Sequence, residues 1–251
     1  MIHYNFTQKV VLVTGSSRGI GAAILSQFAK AGATCILHYY DDPDGGNRRD
    51  AQALRAELGP NVHAHAADVR DAAAMEALMK RVKANCGSLD VLVNNAGIIR
   101  DRTMKKMTLD EWHDVVETNL SGVFHGCKYG AEILADGGRI VNVASVAGLV
   151  GFHGQANYAA AKAGVIGFTR SLAYEVAKDG VTANSICPGP IDTALFRGIP
   201  EAWRKKKLAE LPIGRAGRVD EIAPTAVLLA SDEGSYYIGA TMNPNGGDVM
   251  I

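Results

Sequence analysis

The chain has 251 residues, enough for one large α/β domain. With 47% hydrophobic and 21% charged residues it can bury a sizeable core, which excludes a disordered chain. Lys plus Arg and Asp plus Glu number 26 each, so a zero net charge gives no electrostatic reason to expect nucleic acid or an anionic membrane as partner. No stretch reaches the roughly 18 apolar residues of a membrane span, and the first residues lack a basic-then-apolar leader pattern, so a cytoplasmic location is expected.

In chain order, residues 10–13 read as a buried strand, followed by a Gly-rich turn and an apolar helix to about residue 30. A second strand at 34–37 and a polar loop at 41–47 lead to a helix through 57. A strand at 62–65, an amphipathic helix at 72–84 and a strand at 91–93 follow, the last running into Asn94-Asn95-Ala96-Gly97. Residues 109–134 read as one long helical region, 140–143 as a strand, 158–177 as a helix and 181–186 as the sixth strand. A helix at 221–230 and a strand at 239–242 close the pattern. Strands alternating with helices predict a single-domain α/β fold over 1–251, a Rossmann-type doubly wound parallel sheet of about seven strands with helices on both faces. Residues 190–217 fall outside the alternation and are expected to form a lid over a site at the strand C-termini. Cys35, Cys86, Cys127 and Cys187 show no CxxC or Cys/His spacing, and His63 and His65 have no third ligand in view, so free thiols and no metal are expected.

The segment Thr14-Gly15-Ser16-Ser17-Arg18-Gly19-Ile20-Gly21 follows a strand and opens a helix. Gly15, Gly19 and Gly21 let the backbone approach a pyrophosphate, and the helix start offers the N–H groups of Ser17, Gly19 and Ile20 with a positive dipole. A tight strand-to-helix turn alone has the same composition; the strand before it and the helix after it favour a nucleotide. Asp68, with Val69 beside it, is placed to accept from an adenine amino group, although a helix cap has the same signature and Asp71 suits that role as well. Asn95, Ala96 and Gly97 keep a low floor beneath a cofactor. At the end of the second strand Tyr39 stands where NAD sites place an acidic residue, and Arg18 can pair with a 2′-phosphate. NADP (as NADPH) is therefore favoured. NAD stays open because a small shift in register would bring Asp41 to the ribose.

Ser145 follows the fifth strand, and Tyr158 and Lys162 stand i and i+4 on one helix, so they share a face. A free tyrosine, with a pKa near 10, matches neutral pH poorly, and an adjacent ammonium is expected to lower it. Tyr158 then exchanges a proton with a carbonyl or hydroxyl oxygen while Ser145 holds that oxygen. Asn119 is placed to bend the long helical region and hold a water behind Lys162.

These residues in this order resemble the short-chain dehydrogenase/reductases along nearly the whole chain. The shared motifs are Thr14 to Gly21, Asp68, Asn94 to Gly97, Asn119, Ser145, Tyr158-x-x-x-Lys162 and Pro188-Gly189. The resemblance implies a site of Ser145, Tyr158, Lys162 and Asn119, with Pro188, Gly189, Ile191 and Thr193 at the nicotinamide, and a homotetramer. Within the family the chain is most similar to 3-oxoacyl-carrier-protein and acetoacetyl-CoA reductases, which implies NADPH-dependent reduction of an acyl-thioester substrate. Where the carrier-protein reductases carry two surface arginines that meet the acidic carrier, this chain has Glu132 and Tyr174. The run Arg204-Lys205-Lys206-Lys207 in the expected lid suits a substrate phosphate such as that of a CoA thioester, or is a solvated helix face. Phe152 and His153 are candidates to line the pocket. Reduction of small free ketones, cyclic alcohols or sugars is the competing activity, and a nucleotide-binding regulator without catalysis the competing class.

Overall fold

The runs at 10–13 and 89–94, rich in Val and Leu, are buried on both faces, which suits central strands covered by helices on each side. In the computed structural model, which describes residues 4–251, seven strands form one parallel sheet: β1 (Val10–Val13), β2 (Thr34–Tyr39), β3 (Val62–Ala66), β4 (Leu89–Asn94), β5 (Leu134–Val143), β6 (Thr182–Ile186) and β7 (Thr241–Met242). Their order is β3-β2-β1-β4-β5-β6-β7. The chain winds one way from β1 to β3 and the other way from β4 onward. The carboxyl ends of β1 and β4 therefore flank a crevice, the usual ligand position in such sheets.

Helices cover both faces. On one lie α1 (Gly19–Lys30), α2 (Gly46–Leu58) and α10 (Ala223–Ala230), whose Ile24, Leu25, Phe28, Ala51, Ala226 and Leu229 pack on Val11, Val13 and Val93. On the other lie α3 (Ala72–Cys86), α5 (Gly122–Ala131) and α7 (Ala156–Val176), whose Met75, Met79, Val123 and Val165 pack on Leu12, Leu92 and Ile140. Each such side chain taken fully out of water contributes about 1.5–3 kcal/mol. Asp71 caps α3 by accepting from the amides of Ala73 and Ala74 at 2.9 and 3.1 Å. The shorter α4 (Leu109–Val116) starts on a reciprocal box in which the Thr108 hydroxyl and the Glu111 carboxylate each accept the other's amide.

The expected elements shift in three places. The helical region foreseen over 109–134 breaks into α4, a π turn at Glu117–Ser121 and α5. Strand β5 starts at Leu134 rather than 140, because Leu134 pairs with Leu89 before a register irregularity between Leu89 and Val91. A short helix, α6 (Ala147–Val150), follows β5 and was not foreseen. The segment 190–217 holds α8 (Ala194–Arg197) and α9 (Glu201–Glu210). No described helix is long and apolar enough to cross a membrane. Cys35, Cys86, Cys127 and Cys187 are free thiols, and among the described residues no group of three His, Cys, Asp or Glu side chains is placed to hold a metal.

Candidate active site

A cleft of about 1680 Å³ opens along the carboxyl edge of the sheet, running from the turn after β1 to the α8–α9 segment. At its nucleotide end Gly15 has φ +61°, a conformation that favours glycine. A Cβ there would approach Ala96 Cα to 2.8 Å, and one on Gly21 would overlap the Asn95 amide and the Gly15 carbonyl. The turn is thus pressed onto the loop after β4. Asn95 Nδ2 donates to the carbonyls of Thr14 and Gly15 at 3.0 and 3.1 Å, and the Thr14 hydroxyl accepts the amides of Asn95 and Ala96 at 2.9 and 3.1 Å. The first amides of α1 have no carbonyl one turn earlier to bind, which leaves them for an anion. Glycines that bring backbone against backbone, below open helix amides, fit a dinucleotide pyrophosphate.

Most residues singled out in the sequence line this cleft: Gly15, Ser17, Arg18, Gly19, Ile20, Asp68, Val69, Asn95, Ala96, Gly97, Ser145, Tyr158, Lys162, Pro188, Gly189, Ile191 and Thr193. Three do not. Gly21 is buried behind the turn against Asn95. Asn119 is fully buried in the π turn and clasps the loop after β4: its Oδ1 accepts the Ile98 amide and its Nδ2 donates to the Ile98 carbonyl, both at 2.8 Å. A Cβ on Gly97 would lie 3.2 Å from Asn119 Oδ1 and 3.7 Å from Lys162 Nζ, so Asn119 sits behind the cleft floor close to that lysine. The third is Tyr39, and its expected place needs correcting. With Cys35 and Leu37 it faces the core under α1 and α2, because alternate residues of a strand share a face. Tyr40 and Asn47 line the cleft instead.

The charges at the β2 end of the cleft are mostly paired. Arg18 binds the Asn47 amide oxygen and lies 3.6 Å from Asp50. Asp41 is held by Arg48 through Nε at 3.1 Å and through Nη2. Asp68 is gripped by Arg70, whose Nη2 lies 2.7 Å from Oδ2. Burial raises the Asp68 carboxyl, but the hydrogen bonds and charge of Arg70 outweigh it and hold the pKa below the usual value.

At the catalytic end, Lys162 Nζ donates to the Val143 carbonyl at 2.7 Å and lies 5.8 Å from the Tyr158 ring centroid. Ser145 stands two residues further along, its Oγ accepting the Ala147 amide at 3.2 Å. The expectation that Lys162 lowers the pKa of Tyr158 is not met. Burial penalises the phenolate and pushes Tyr158 up to about 12, with the Ser145 hydroxyl pulling the other way. Burial also drives Lys162 down to about 8. Burial pushes the Asp101 carboxyl up as well, against a hydrogen bond from Gln155 Nε2 at 3.0 Å.

Sequence reasoning missed Asn157. It is fully buried, its Nδ2 donates to the carbonyls of Arg100 and Glu111 at 3.0 Å each, and its Oδ1 accepts the Tyr158 amide at 2.8 Å. It thereby fastens the start of α7, and with it Tyr158, to α4 and the loop after β4. An Asn near the start of a helix, beside the tyrosine, was the available signal.

At the far wall His153 stacks on Trp203 of α9, ring centroids 6.2 Å apart and planes within 8°. Lys207 lies over Phe152 at 4.2 Å and pairs with Asp248 at 2.5 Å. The basic run is therefore split. Lys205 turns to Glu201 at 2.7 Å, while Arg204, Lys206 and Lys207 line the cleft.

A dinucleotide turn beneath a Ser/Tyr/Lys cluster on a doubly wound sheet defines a nicotinamide-type oxidoreductase, and comparison with known proteins agrees. The family described as enoyl-(acyl carrier protein) reductase matches residues 15–248, and the chain belongs to the short-chain dehydrogenase/reductases. It is 44% identical over 249 residues to the 3-oxoacyl-[acyl-carrier-protein] reductase FabG of Escherichia coli (strain K12), covering 98% of this chain and 100% of that protein. It is also 44% identical over 246 residues to the acetoacetyl-CoA reductase of Shinella zoogloeoides, covering 97% and 99%. Among solved structures, a short-chain dehydrogenase/reductase (glucose/ribitol dehydrogenase) from Brucella melitensis superposes with TM-score 0.93 at 30% identity over the whole of both chains. A blue fluorescent protein from a metagenomic library, in complex with NADPH, superposes with TM-score 0.92 at 35% identity, covering 98% of this chain and 100% of that one.

Proposed function

We propose that this protein is an NADPH-dependent reductase of 3-oxoacyl thioesters, with Tyr158 as proton donor, Ser145 as the holder of the substrate oxygen and Lys162 as the charge behind them. The observation that carries this reading is the convergence of Ser145, Tyr158 and Lys162 on one cleft with the turn after β1. When bound, a reduced nicotinamide supplies the hydride. A tyrosine held at about 12 is protonated at neutral pH, the form that can give a proton to the substrate oxygen. The Ser145 hydroxyl donates to the same oxygen as negative charge builds on it. Lys162 stabilises the phenolate left behind. Asn119 fixes the Ile98 backbone next to Lys162.

Arg18 and Asn47, with Tyr40 on the cleft wall, suit a 2′-phosphate. Asp41, the acid that would favour a free ribose, is engaged by Arg48. Arg18→Ala is expected to raise KM for NADPH about tenfold and to leave KM for NADH nearly unchanged, since one charge-assisted phosphate contact is lost. Steady-state kinetics with both cofactors decide it, and an equal rise for both would remove Arg18 from the 2′ position.

For the thioester carrier we favour CoA. Glu132 and Tyr174 are exposed where carrier-protein reductases hold basic residues, Tyr174 at 88%. Arg204 and Lys206 meanwhile face the cleft. Acetoacetyl-CoA is expected to be reduced with a kcat/KM at least about tenfold above that of the carrier-protein thioester. The double variant Arg204→Ala/Lys206→Ala should raise KM for acetoacetyl-CoA about five- to tenfold while leaving turnover of a neutral free ketone alone, as loss of steering charge predicts. No turnover of acetoacetyl-CoA with either cofactor sinks the reading and leaves the free-ketone alternative.

A further inference from the structure

The turn after β1 carries three consecutive amides that leave the sheet in different directions. The Thr14 amide donates to the Val93 carbonyl of β4 at 2.9 Å, and the Ser16 amide donates to the His38 carbonyl of β2 at 2.9 Å. Between them the Gly15 amide donates to Nδ1 of the His38 imidazole at 3.1 Å. The His38 amide in turn donates to Ser16 Oγ at 3.2 Å. One residue thus meets the turn through its N–H, its C=O and its ring.

Gly15 needs that support. At φ +61° it has no side chain to restrict it, and its carbonyl is already taken by Asn95 Nδ2 at 3.1 Å. With the imidazole accepting its N–H, Gly15 is held through both its N–H and its C=O. Without the imidazole this part-buried amide would lose its partner, and the turn would be free to rotate toward another acceptor.

We propose that His38 is a positioning residue for the cofactor: its neutral ring, protonated on Nε2, holds the Gly15 amide inward and so fixes the orientation in which the next amides of the turn and α1 meet the pyrophosphate. The inference rests on the reading of the cleft as an NADPH site. Nδ1 can accept only while it carries no proton. Burial keeps it so. His38 is 1% exposed, and burial lowers its pKa to about 4. Nε2, on the other side of the ring, has no well-formed hydrogen-bond partner, and although the Ala67 backbone and the Asp68 charge pull the pKa up, burial outweighs them. The bond to Gly15 is therefore the ring's well-formed contact, and it reaches the turn that sequence motifs assign to glycine alone.

The test titrates NADPH into the purified full chain, following cofactor fluorescence, for the wild type, His38→Leu and His38→Asn. Leucine removes the acceptor. Asparagine returns an oxygen near the position of Nδ1. His38→Leu is expected to raise the Kd and KM for NADPH about tenfold, the loss that follows when a part-buried donor loses its acceptor and the turn its orientation, with kcat at saturating NADPH within about twofold of wild type. His38→Asn is expected to bring Kd back to within about threefold. A folded His38→Leu variant that binds NADPH like wild type overturns the inference, and so does a kcat that falls in step with the affinity, which would mark general disruption. Should His38→Leu not fold, His38→Asn decides alone: affinity within about threefold supports the acceptor role, and a loss of tenfold or more refutes it. A wild-type chain that binds neither NADPH nor NADH removes the cofactor reading together with the inference, whereas a binding wild type beside an unaffected leucine variant removes the inference only.

Discussion

Tyr158→Phe is expected to lower kcat for acetoacetyl-CoA reduction by about 10²–10⁴, the range a positioned general acid contributes, while the Kd for NADPH stays within about twofold. Phenylalanine keeps the ring, its packing on α7 and the Lys162 ammonium 5.8 Å from its centroid. It deletes only the hydroxyl. That hydroxyl is the group burial keeps protonated, at a pKa of about 12. At neutral pH the wild type therefore has a donor in place on every encounter, and the variant has none. Ser145 can still polarise the substrate oxygen, which leaves residual turnover above the uncatalysed rate. The two measurements separate the roles of the site. A variant that binds NADPH normally and turns over slowly has lost its proton donor. A variant that turns over near the wild-type rate means that another group delivers the proton, Asp101 on the cleft wall being one candidate.

The fold was legible because its strands announce themselves. Val10–Val13 and the apolar core of β4 are buried on both faces, and a run without polar alternation is hard to place anywhere but inside a covered parallel sheet. The start of β5 was not legible, since Leu134-Ala135-Asp136-Gly137-Gly138 is no apolar run, and its pairing with β4 is a tertiary event. In the site, residues defined by chain order were readable: the glycines of the turn, and Tyr158 and Lys162 four apart on one helix. Residues defined by which way a side chain points were not. Tyr39 and Tyr40 differ by one position in a period of two, and that step decides which of them meets the cleft. Asn157 and His38 act through hydrogen bonds to backbone distant in sequence, a relation no local spacing encodes. The pKa of Tyr158 failed for a related reason. Adjacency to a lysine was visible, but the burial that dominates the shift depends on the packed protein.

The same burial sets the pH limit of the reaction. Lys162 is 3% exposed, and desolvation lowers its pKa from 10.5 to about 8. A depressed lysine pKa means that its charge is present below about pH 8 and lost above it, some two units earlier than for an exposed lysine. On the proposed mechanism reduction leaves a phenolate at Tyr158, and the Lys162 ammonium is the positive charge placed to balance it beside the Ser145 hydroxyl, so the neutral amine is the wrong form for the step. kcat/KM is therefore expected to be flat through pH 6–7 and to fall about tenfold per pH unit above about 8. Tyr158 itself contributes no limb in that range, because it titrates near 12. Lys162→Met keeps most of the side-chain volume and removes both the charge and the bond to the Val143 carbonyl. It is expected to cost about 10²–10³ in kcat/KM at pH 7, on the scale of one lost electrostatic stabiliser, and to abolish the alkaline limb. A pH–rate profile of both enzymes checks this. A wild-type profile level up to pH 10 would place the ammonium outside the chemical step, and a limb that survives in Lys162→Met would assign it to a different group.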